Sequence, residues 1–275
     1  MTAMKTKIKT FIIINLFLAF AFQKNIYSQI DDIKKKSDEN KNNKGNRGNS
    51  GNEGNGESIG EGCANAIFSG CFDFGCTIFG DVIGQYTSEV YKKKPDNPAI
   101  LSVDFDAGFA PAYEYNNSTF YKYMIFLPGI RANLASFMLE FRGNLLTEFD
   151  DNLPNTFKCW DGVIGFNIVP SASVIITLGT GVQREKYNDM YYHEYYLGSR
   201  VWMRENRNYL ELNYRLSKDY ETNIIPFQEL SIKYNFRIMN SEKANIHFTF
   251  GGHYQNYYEL HDIWGLRTGL ILNIH

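Results

Sequence analysis

From about residue 100 to the end of the chain, apolar and polar side chains alternate with a period of two, and this pattern constrains the fold more than any other. In the first run, Val103 and Phe105 fall on one face and Asp104 and Asp106 on the other. Successive side chains of a β-strand point to opposite faces of a sheet, so the run predicts a strand with one oily and one ionic face. The pattern is clearest in residues 228–238.

Ten segments show this alternation, and we predict a strand in each. They are 100–113, 120–134, 136–146, 159–169, 173–184, 191–204, 208–217, 227–238, 244–256 and 263–275. An even number of antiparallel strands suits an up-and-down barrel. The predicted fold is therefore all-β: a closed antiparallel up-and-down transmembrane β-barrel of about ten strands, with a short N-terminal helix.

The second run contains a change of phase. Its apolar residues are odd-numbered before Pro128 and Gly129 (Tyr123, Ile125 and Leu127), and they are even-numbered afterwards (Ile130, Ala132 and Leu134). Proline and glycine inside a strand often mark a bulge. We therefore predict a bulge or bend at this point.

Two features favour a membrane barrel over a soluble one. Connections after even-numbered strands are short, whereas most after odd-numbered strands are longer, notably 147–158, 185–190 and 218–226, as in outer-membrane barrels. The oily face also carries no charged residue in the regular strand cores, where one basic side chain at the bilayer midplane would cost about 2–4 kcal/mol. The mean hydropathy of −0.35 excludes a bundle of membrane helices but not a barrel.

The polar face carries acidic and basic residues in near balance, which suits a lumen crossed by ion pairs. They are Asp104, Asp106, Lys122, Arg131, Glu140, Arg142, Asp161, Glu194, Arg200, Arg204, Glu211, Arg215, Glu229, Lys233, Arg237 and Arg267. Barrels of sixteen or more strands leave an aqueous channel, whereas about eight strands leave an interior that side chains fill. Ten strands lined with long charged residues predict an occluded lumen rather than a general porin.

The rival interpretation is a secreted, lipocalin-like ligand-binding barrel, in which the oily face points inward and the ionic face meets water. Alternation alone is compatible with both barrels. The strand count, the loop asymmetry and the number of Phe, Tyr and Leu side chains on the oily face favour the membrane barrel.

The segment before the barrel divides into three parts. Residues 1–28 have a basic start and an apolar stretch at 11–22, which predict a secretory signal peptide cleaved after Ser28 to leave Gln29 first. Residues 29–62 are rich in Asn and Gly, with few aliphatic side chains to bury, and we predict a disordered linker. Residues 63–98 are predicted to form a periplasmic, Cys-containing helical segment that plugs the barrel or docks a partner, and residues 99–275 the outer-membrane barrel.

The cysteines of this helical segment match no zinc ribbon or redox pair, because seven residues separate Cys63 from Cys71 and four separate Cys71 from Cys76. In an oxidising compartment we expect one disulfide, Cys71 with Cys76, ahead of free thiols or a metal site. Cys159 is expected to be unpaired. We predict no cofactor.

Candidate catalytic groups are few. The barrel size resembles that of the omptin outer-membrane proteases, and Asp104–Asp106 with His261–Asp262 could supply acid–base chemistry, but the two pairs are predicted to lie at different heights. His247 and His253 are six residues apart on one face, too far to share a metal. We therefore predict no catalytic or metal site.

Tyrosines cluster near the predicted outer rim, where they fit an interfacial aromatic belt better than a carbohydrate or protein contact. They are Tyr187, Tyr191, Tyr192, Tyr195, Tyr196, Tyr257 and Tyr258.

The leader, the Asn/Gly-rich spacer and the Cys-containing segment are followed by PGIRANLASFMLEFRGNLLTEF (128–149) and a last strand WGLRTGLILNIH (264–275). Together they resemble uncharacterised outer-membrane β-barrel proteins of the Bacteroidota, a Gram-negative group. The resemblance implies partners in outer-membrane lipid and, during biogenesis, the β-barrel assembly machinery, which would recognise the last strand.

The function expected from the sequence is a non-enzymatic outer-membrane barrel with a structural or binding role, or a subunit of an envelope complex with a protein partner. The alternatives are an omptin-like rim hydrolase, a narrow small-solute transporter and the lipocalin-like barrel. With 28 basic and 30 acidic residues, the chain has no excess of positive charge for nucleic acid.

Overall fold

The computed structural model describes residues 29–47, 101–116, 119–134, 136–149, 155–171, 173–203, 208–241 and 243–274. They form one helix, α1 (Gln29–Arg47), and ten strands. The strands are β1 (Leu101–Asn116), β2 (Thr119–Leu134), β3 (Phe137–Glu148), β4 (Asn155–Ser171), β5 (Val174–Glu185), β6 (Met190–Met203), β7 (Asn208–Asp219), β8 (Ile224–Asn240), β9 (Ala244–Tyr257) and β10 (His261–Ile274).

The ten strands form a closed antiparallel barrel. Each strand pairs with the next in the chain, and β1 pairs with β10 to close the sheet, with Val103 opposite Ile274. Closure leaves no row of unpaired backbone groups at a sheet edge. The predicted fold class and strand number are confirmed.

The two faces of the sheet are divided as the membrane interpretation requires. The side chains of Phe105, Leu139 and Ile232 are exposed on the outside of the barrel, whereas those of Asp104 and Asn235 are buried inside it. The oily face therefore points outward and the ionic face inward, which is the reverse of a lipocalin-like barrel.

The predicted bulge in β2 is wrong. The pairing of β1 with β2 runs unbroken, with Pro128 opposite Ala107 and Gly129 opposite Asp106. Odd-numbered residues of β2 point inward along its whole length, so Lys122, predicted on the ionic face, lies on the outer one. The phase changes because the lumen is apolar beside the first half of β2 and ionic beside the second.

The barrel has two mouths. The termini mouth is the end where β1 begins and β10 ends, and the helix mouth is the opposite end, at the connections after odd-numbered strands. Those connections are shorter than predicted, at 149–154, 186–189 and 220–223, because the strands extend further than their alternation shows. The loop asymmetry is therefore small, and the outward apolar face carries the membrane argument.

Residues 29–47 form a helix where composition predicts a disordered linker, so the prediction is wrong for this stretch. Ile30, Ile33, Ser37 and Asn40 lie at helical spacing and are buried against the barrel, and this tertiary contact stabilises a helix that its own sequence favours weakly. No helix in the described part of the chain is long and apolar enough to cross a membrane. The signal peptide and the Cys-containing segment lie outside the described residues.

Candidate functional site

The lumen contains two layers of different chemistry. The layer nearer the termini mouth, here called the ionic layer, consists of charged side chains that point inward from eight of the ten strands. They are Asp104, Asp106, Arg131, Glu140, Arg142, Asp161, Glu194, Arg200, Glu211, Arg215, Glu229, Lys233 and Arg267.

Several ion pairs of the ionic layer cross the lumen. The guanidinium of Arg142 on β3 lies 2.6 Å from the Glu229 carboxylate on β8 and 2.5 Å from Asp161 on β4. Arg131 on β2 lies 2.8 Å from Glu211 on β7. The pairs Arg142–Glu229 and Arg131–Glu211 join opposite walls of the barrel. They also give each buried charge the partner and the hydrogen bonds that it needs.

Little space remains between these side chains. The cavity that they line has a volume of about 30 Å³. A single water needs roughly 10–15 Å³ of such volume, so the ionic layer has room for roughly two waters. The ion pairs and the occluded lumen predicted from the polar face are both present.

The layer nearer the helix mouth, here called the apolar cup, is formed mainly by apolar side chains that point into the lumen. They are Ala110, Ala112, Tyr123, Ile125, Leu127, Leu146, Phe157, Cys159, Phe227, Tyr257, Tyr258 and Ile263. Ile30 and Ile33 of α1 complete this cluster from above, and both are fully buried. The helix thus covers apolar surface that the open mouth would expose.

Four carboxylates, here called the rim carboxylates, surround the helix mouth. Glu114, Glu148, Glu185 and Asp219 each end or nearly end an odd-numbered strand, and each points inward and is buried. Sequence reasoning missed this set. The sequence signal for this set is an acidic residue at the helix-mouth end of β1, β3, β5 and β7, at a position whose side chain points into the lumen.

Glu148 receives the beginning of α1. Its two carboxylate oxygens accept hydrogen bonds from the backbone nitrogens of Gln29, at 3.1 Å, and Ile30, at 3.0 Å. The first N–H groups of a helix have no partner within the helix, and the helix dipole is positive at this end. A carboxylate therefore satisfies the α1 N-terminus in both hydrogen bonding and charge.

Two other rim carboxylates hold the rest of the buried helix face. The Ser37 hydroxyl donates a hydrogen bond to Glu185. The Asn40 amide donates to Asp219 at 2.9 Å, and the Lys44 ammonium lies 3.1 Å from the same carboxylate. At about 1.5 Å of rise per residue the 19-residue helix is roughly 28 Å long, and it lies across the mouth with one face down.

The turn between β9 and β10 supports this contact from below. Tyr258 donates a hydrogen bond of 2.5 Å to Glu185. Burial raises the pKa of the Tyr258 phenol and the Glu185 carboxylate raises it further, so the phenol stays protonated as a donor.

Tyr258 and Glu259 both have positive φ, 54° and 57°, an uncommon backbone for residues other than glycine.

The residues proposed for a rim hydrolase do not come together. Asp106 lies opposite Ile271 on β10, and His261 is ten residues further along that strand, roughly 33 Å away at 3.3 Å per residue. The predicted separation of the two pairs is confirmed.

Each of these residues has another partner. The Asp104 carboxylate lies 3.0 Å from Arg200, and Asp106 lies 2.6 Å from Arg267. His261 lies 3.1 Å from the rim carboxylate Glu114, whereas Asp262 accepts a hydrogen bond from Tyr254 on the outside of the barrel. The aspartates therefore belong to the ionic layer and the histidine to the rim.

Some of the other residues considered for metal binding or disulfide formation lie in the described part of the chain, and others lie outside it. His247 and His253 both point into the lumen, as predicted, and Cys159 is a free thiol within the apolar cup. Among the residues that the structure describes, no group of three or more His, Cys, Asp and Glu could hold a metal. The predicted disulfide Cys71–Cys76 lies outside the described residues.

The seven tyrosines do not form one belt, so that prediction is wrong for four of them. Tyr187, Tyr191 and Tyr195 are exposed on the outside of the barrel or at its rim. The other four point into the lumen, two because they alternate with the outward tyrosines of β6, and two at the end of β9 and in the turn after it. They are Tyr192, Tyr196, Tyr257 and Tyr258.

No protein-family model and no curated protein matches the sequence. Among solved structures, the outer membrane protease OmpT from Escherichia coli matches 66% of this chain and 97% of its own, at 10% identity and a TM-score of 0.34. The translocator domain of the autotransporter NalP from Neisseria meningitidis matches 70% and 95%, at 11% identity and a TM-score of 0.31. Similarity at these TM-scores carries no information about activity.

Proposed function

We propose that this protein is an outer-membrane β-barrel whose lumen is closed twice, by the ionic layer and by α1, and that it has a structural or binding role. The observation that carries the proposal is the division of the barrel wall, which is apolar outside and ionic inside. Outer-membrane lipid and the assembly machinery are its proposed partners.

The outer surface supports insertion in a bilayer. In the described strands, the charged side chains that face outward all lie within four residues of the helix mouth (Lys122, Lys158, Arg184, Lys218 and Asp262). From Trp264 to Ile274 the outward side chains of β10 are uncharged over roughly 33 Å of strand, or roughly 25 Å of height at a usual tilt. This height equals the apolar band of outer-membrane barrels.

The lumen supports a closed barrel rather than a transporter. A solute would have to displace ion pairs such as Arg142–Glu229, and removing one partner of a buried pair costs about 3–5 kcal/mol. At the helix mouth it would also have to displace α1. A binding role then uses the surface of the protein rather than its interior.

The helix mouth offers such a surface. The side of α1 that faces away from the barrel is charged and exposed, with Asp31, Asp32, Lys35 and Glu39 among its residues. With β1 entering from the periplasm, this surface faces the outside of the cell. We propose a protein partner in the envelope or outside it at this face.

Ion conductance in planar bilayers tests the closed barrel. Mature protein refolded into lipid is expected to be silent, and so is a variant lacking residues 29–47, because the ionic layer remains. A general porin inserted in the same bilayers is the control for detection. Stable single-channel conductance of the wild-type protein would contradict the proposal.

A further inference from the structure

We propose that Glu148 binds the amino terminus of the mature chain, so that removal of the leader after Ser28 creates the group that anchors α1 in the helix mouth. The inference goes beyond the proposed function and adds a binding site for the ammonium group of the chain's own first residue.

The first observation is where the helix begins. α1 starts at Gln29, the residue that the predicted cleavage after Ser28 would leave first. The helix boundary and the processing site follow from independent properties. The boundary reflects packing on the barrel, and the site reflects the residues that follow the apolar leader.

The second observation is the burial of the contact. Gln29 is 7% exposed and Glu148 is 3% exposed, and Ile30 beside them is fully covered. Burial excludes water from the contact, so the hydrogen bonds between Glu148 and the start of α1 are stronger than they would be in solvent.

The third observation is the chemistry of the contact. The backbone nitrogen of Gln29 lies 3.1 Å from one Glu148 oxygen. After cleavage this nitrogen is an α-amino group, which is mostly protonated near pH 7 and has three N–H donors. The hydrogen bond becomes an ion pair, and charge-assisted hydrogen bonds are roughly twice as strong as neutral ones.

An N-terminal glutamine can also cyclise: its amine attacks the side-chain Cδ, a new N–Cδ bond forms, the Cδ–Nε2 bond breaks and ammonia leaves. The product has no ammonium. A protonated amine held by Glu148 is not a nucleophile, so the terminus of the wild-type protein is expected to remain an uncyclised glutamine.

Mass spectrometry and amine labelling of the mature protein, purified from outer membranes in detergent, test the proposal. We expect the intact mass of a chain that begins at Gln29 and has not lost ammonia by cyclisation. We also expect an amine-reactive acetylating reagent at neutral pH to modify the terminus at least about tenfold more slowly in the folded barrel than after heat unfolding, given the strength of a charged hydrogen bond.

Variants of the rim carboxylates distinguish the effect of the Glu148 charge from a general effect on folding. Glu148→Gln should bring labelling of the terminus near the unfolded rate, and Glu148→Asp should keep part of the protection. Glu114→Gln, which changes the rim carboxylate that contacts His261 on β10, is the matched control and should keep full protection. If Glu148→Gln does not assemble, the comparison of labelling in the folded and unfolded wild-type protein still tests the proposal.

Three results would overturn the proposal: a mature chain that begins elsewhere, a cyclised terminus in the wild-type protein, or a terminus labelled equally fast in the folded and unfolded states. None of them affects the conductance experiment, so a failure of this inference is distinguishable from a failure of the closed barrel.

Discussion

At the residue scale, a single guanidinium can join opposite walls of the barrel. Arg142 is 5% exposed and contacts carboxylates on β4 and β8 at once. Gly108 has a related role, because a Cβ built at this position would lie 2.6 Å from the Arg267 side chain. The lumen is thus filled by long charged side chains and by small residues that leave them room.

We predict that Arg142→Ala destabilises the folded barrel by about 3–5 kcal/mol, because Asp161 and Glu229 then lose their shared cation inside the lumen. Urea unfolding in detergent, followed by the gel mobility of the folded form, measures the change.

The matched control is Arg184→Ala, which breaks an exposed ion pair with Asp189 and is expected to leave the stability of the barrel nearly unchanged. Equal losses for the two variants would show that the ionic layer does not stabilise the barrel.

At the element scale, α1 is a helix because of what it covers. Its buried stripe begins with Ile30 and Ile33 and continues with Ser37 and Asn40, which meet rim carboxylates instead of the apolar cup. Two aliphatic residues in a polar segment are a weak signal by composition. They suffice because the barrel provides an apolar surface of matching size and buried acceptors beside it.

We predict that Ile33→Asn weakens the docking of α1 by about 2–4 kcal/mol, since the apolar cup loses its aliphatic contact and gains an amide. Trypsin cleavage after Lys35, which is exposed, should become at least about tenfold faster than in the wild-type protein.

Asp32→Asn, on the exposed side of the helix, is the control and should leave the cleavage rate unchanged. An unchanged rate for Ile33→Asn would mean that the contact with the cup does not hold the helix.

At the scale of the whole molecule, the helix and the start of β1 lie at opposite mouths. The 53 residues between α1 and β1 lie outside the described part of the chain. The orientation proposed above, with β1 entering from the periplasm, would place α1 on the cell surface, whereas the sequence predicts that the segments before the barrel are periplasmic.

We predict that a Lys35→Cys variant reacts with a membrane-impermeant maleimide on intact cells, because Lys35 is exposed on α1 at the helix mouth. Lys243→Cys, in the turn between β8 and β9 at the termini mouth, should react only after the outer membrane is opened.

The protein without an added cysteine is the control, and it measures how much the native cysteines react with the maleimide. The reverse pattern, with Lys243→Cys labelled on intact cells and Lys35→Cys protected, would show that the barrel has the opposite orientation.

Sequence alone predicted the barrel and its strand number, because both depend on a local period of two that Phe105 and Asp104 already display. It predicted the direction of the two faces from composition, because the oily face carries no charged side chain in the regular strand cores. It could not show that Tyr123, Ile125 and Leu127 line an apolar cup, since an apolar side chain looks the same toward lipid and toward a helix. Only the tertiary structure brought Gln29 to Glu148, 119 residues away, because contacts between distant segments depend on closure of the whole sheet.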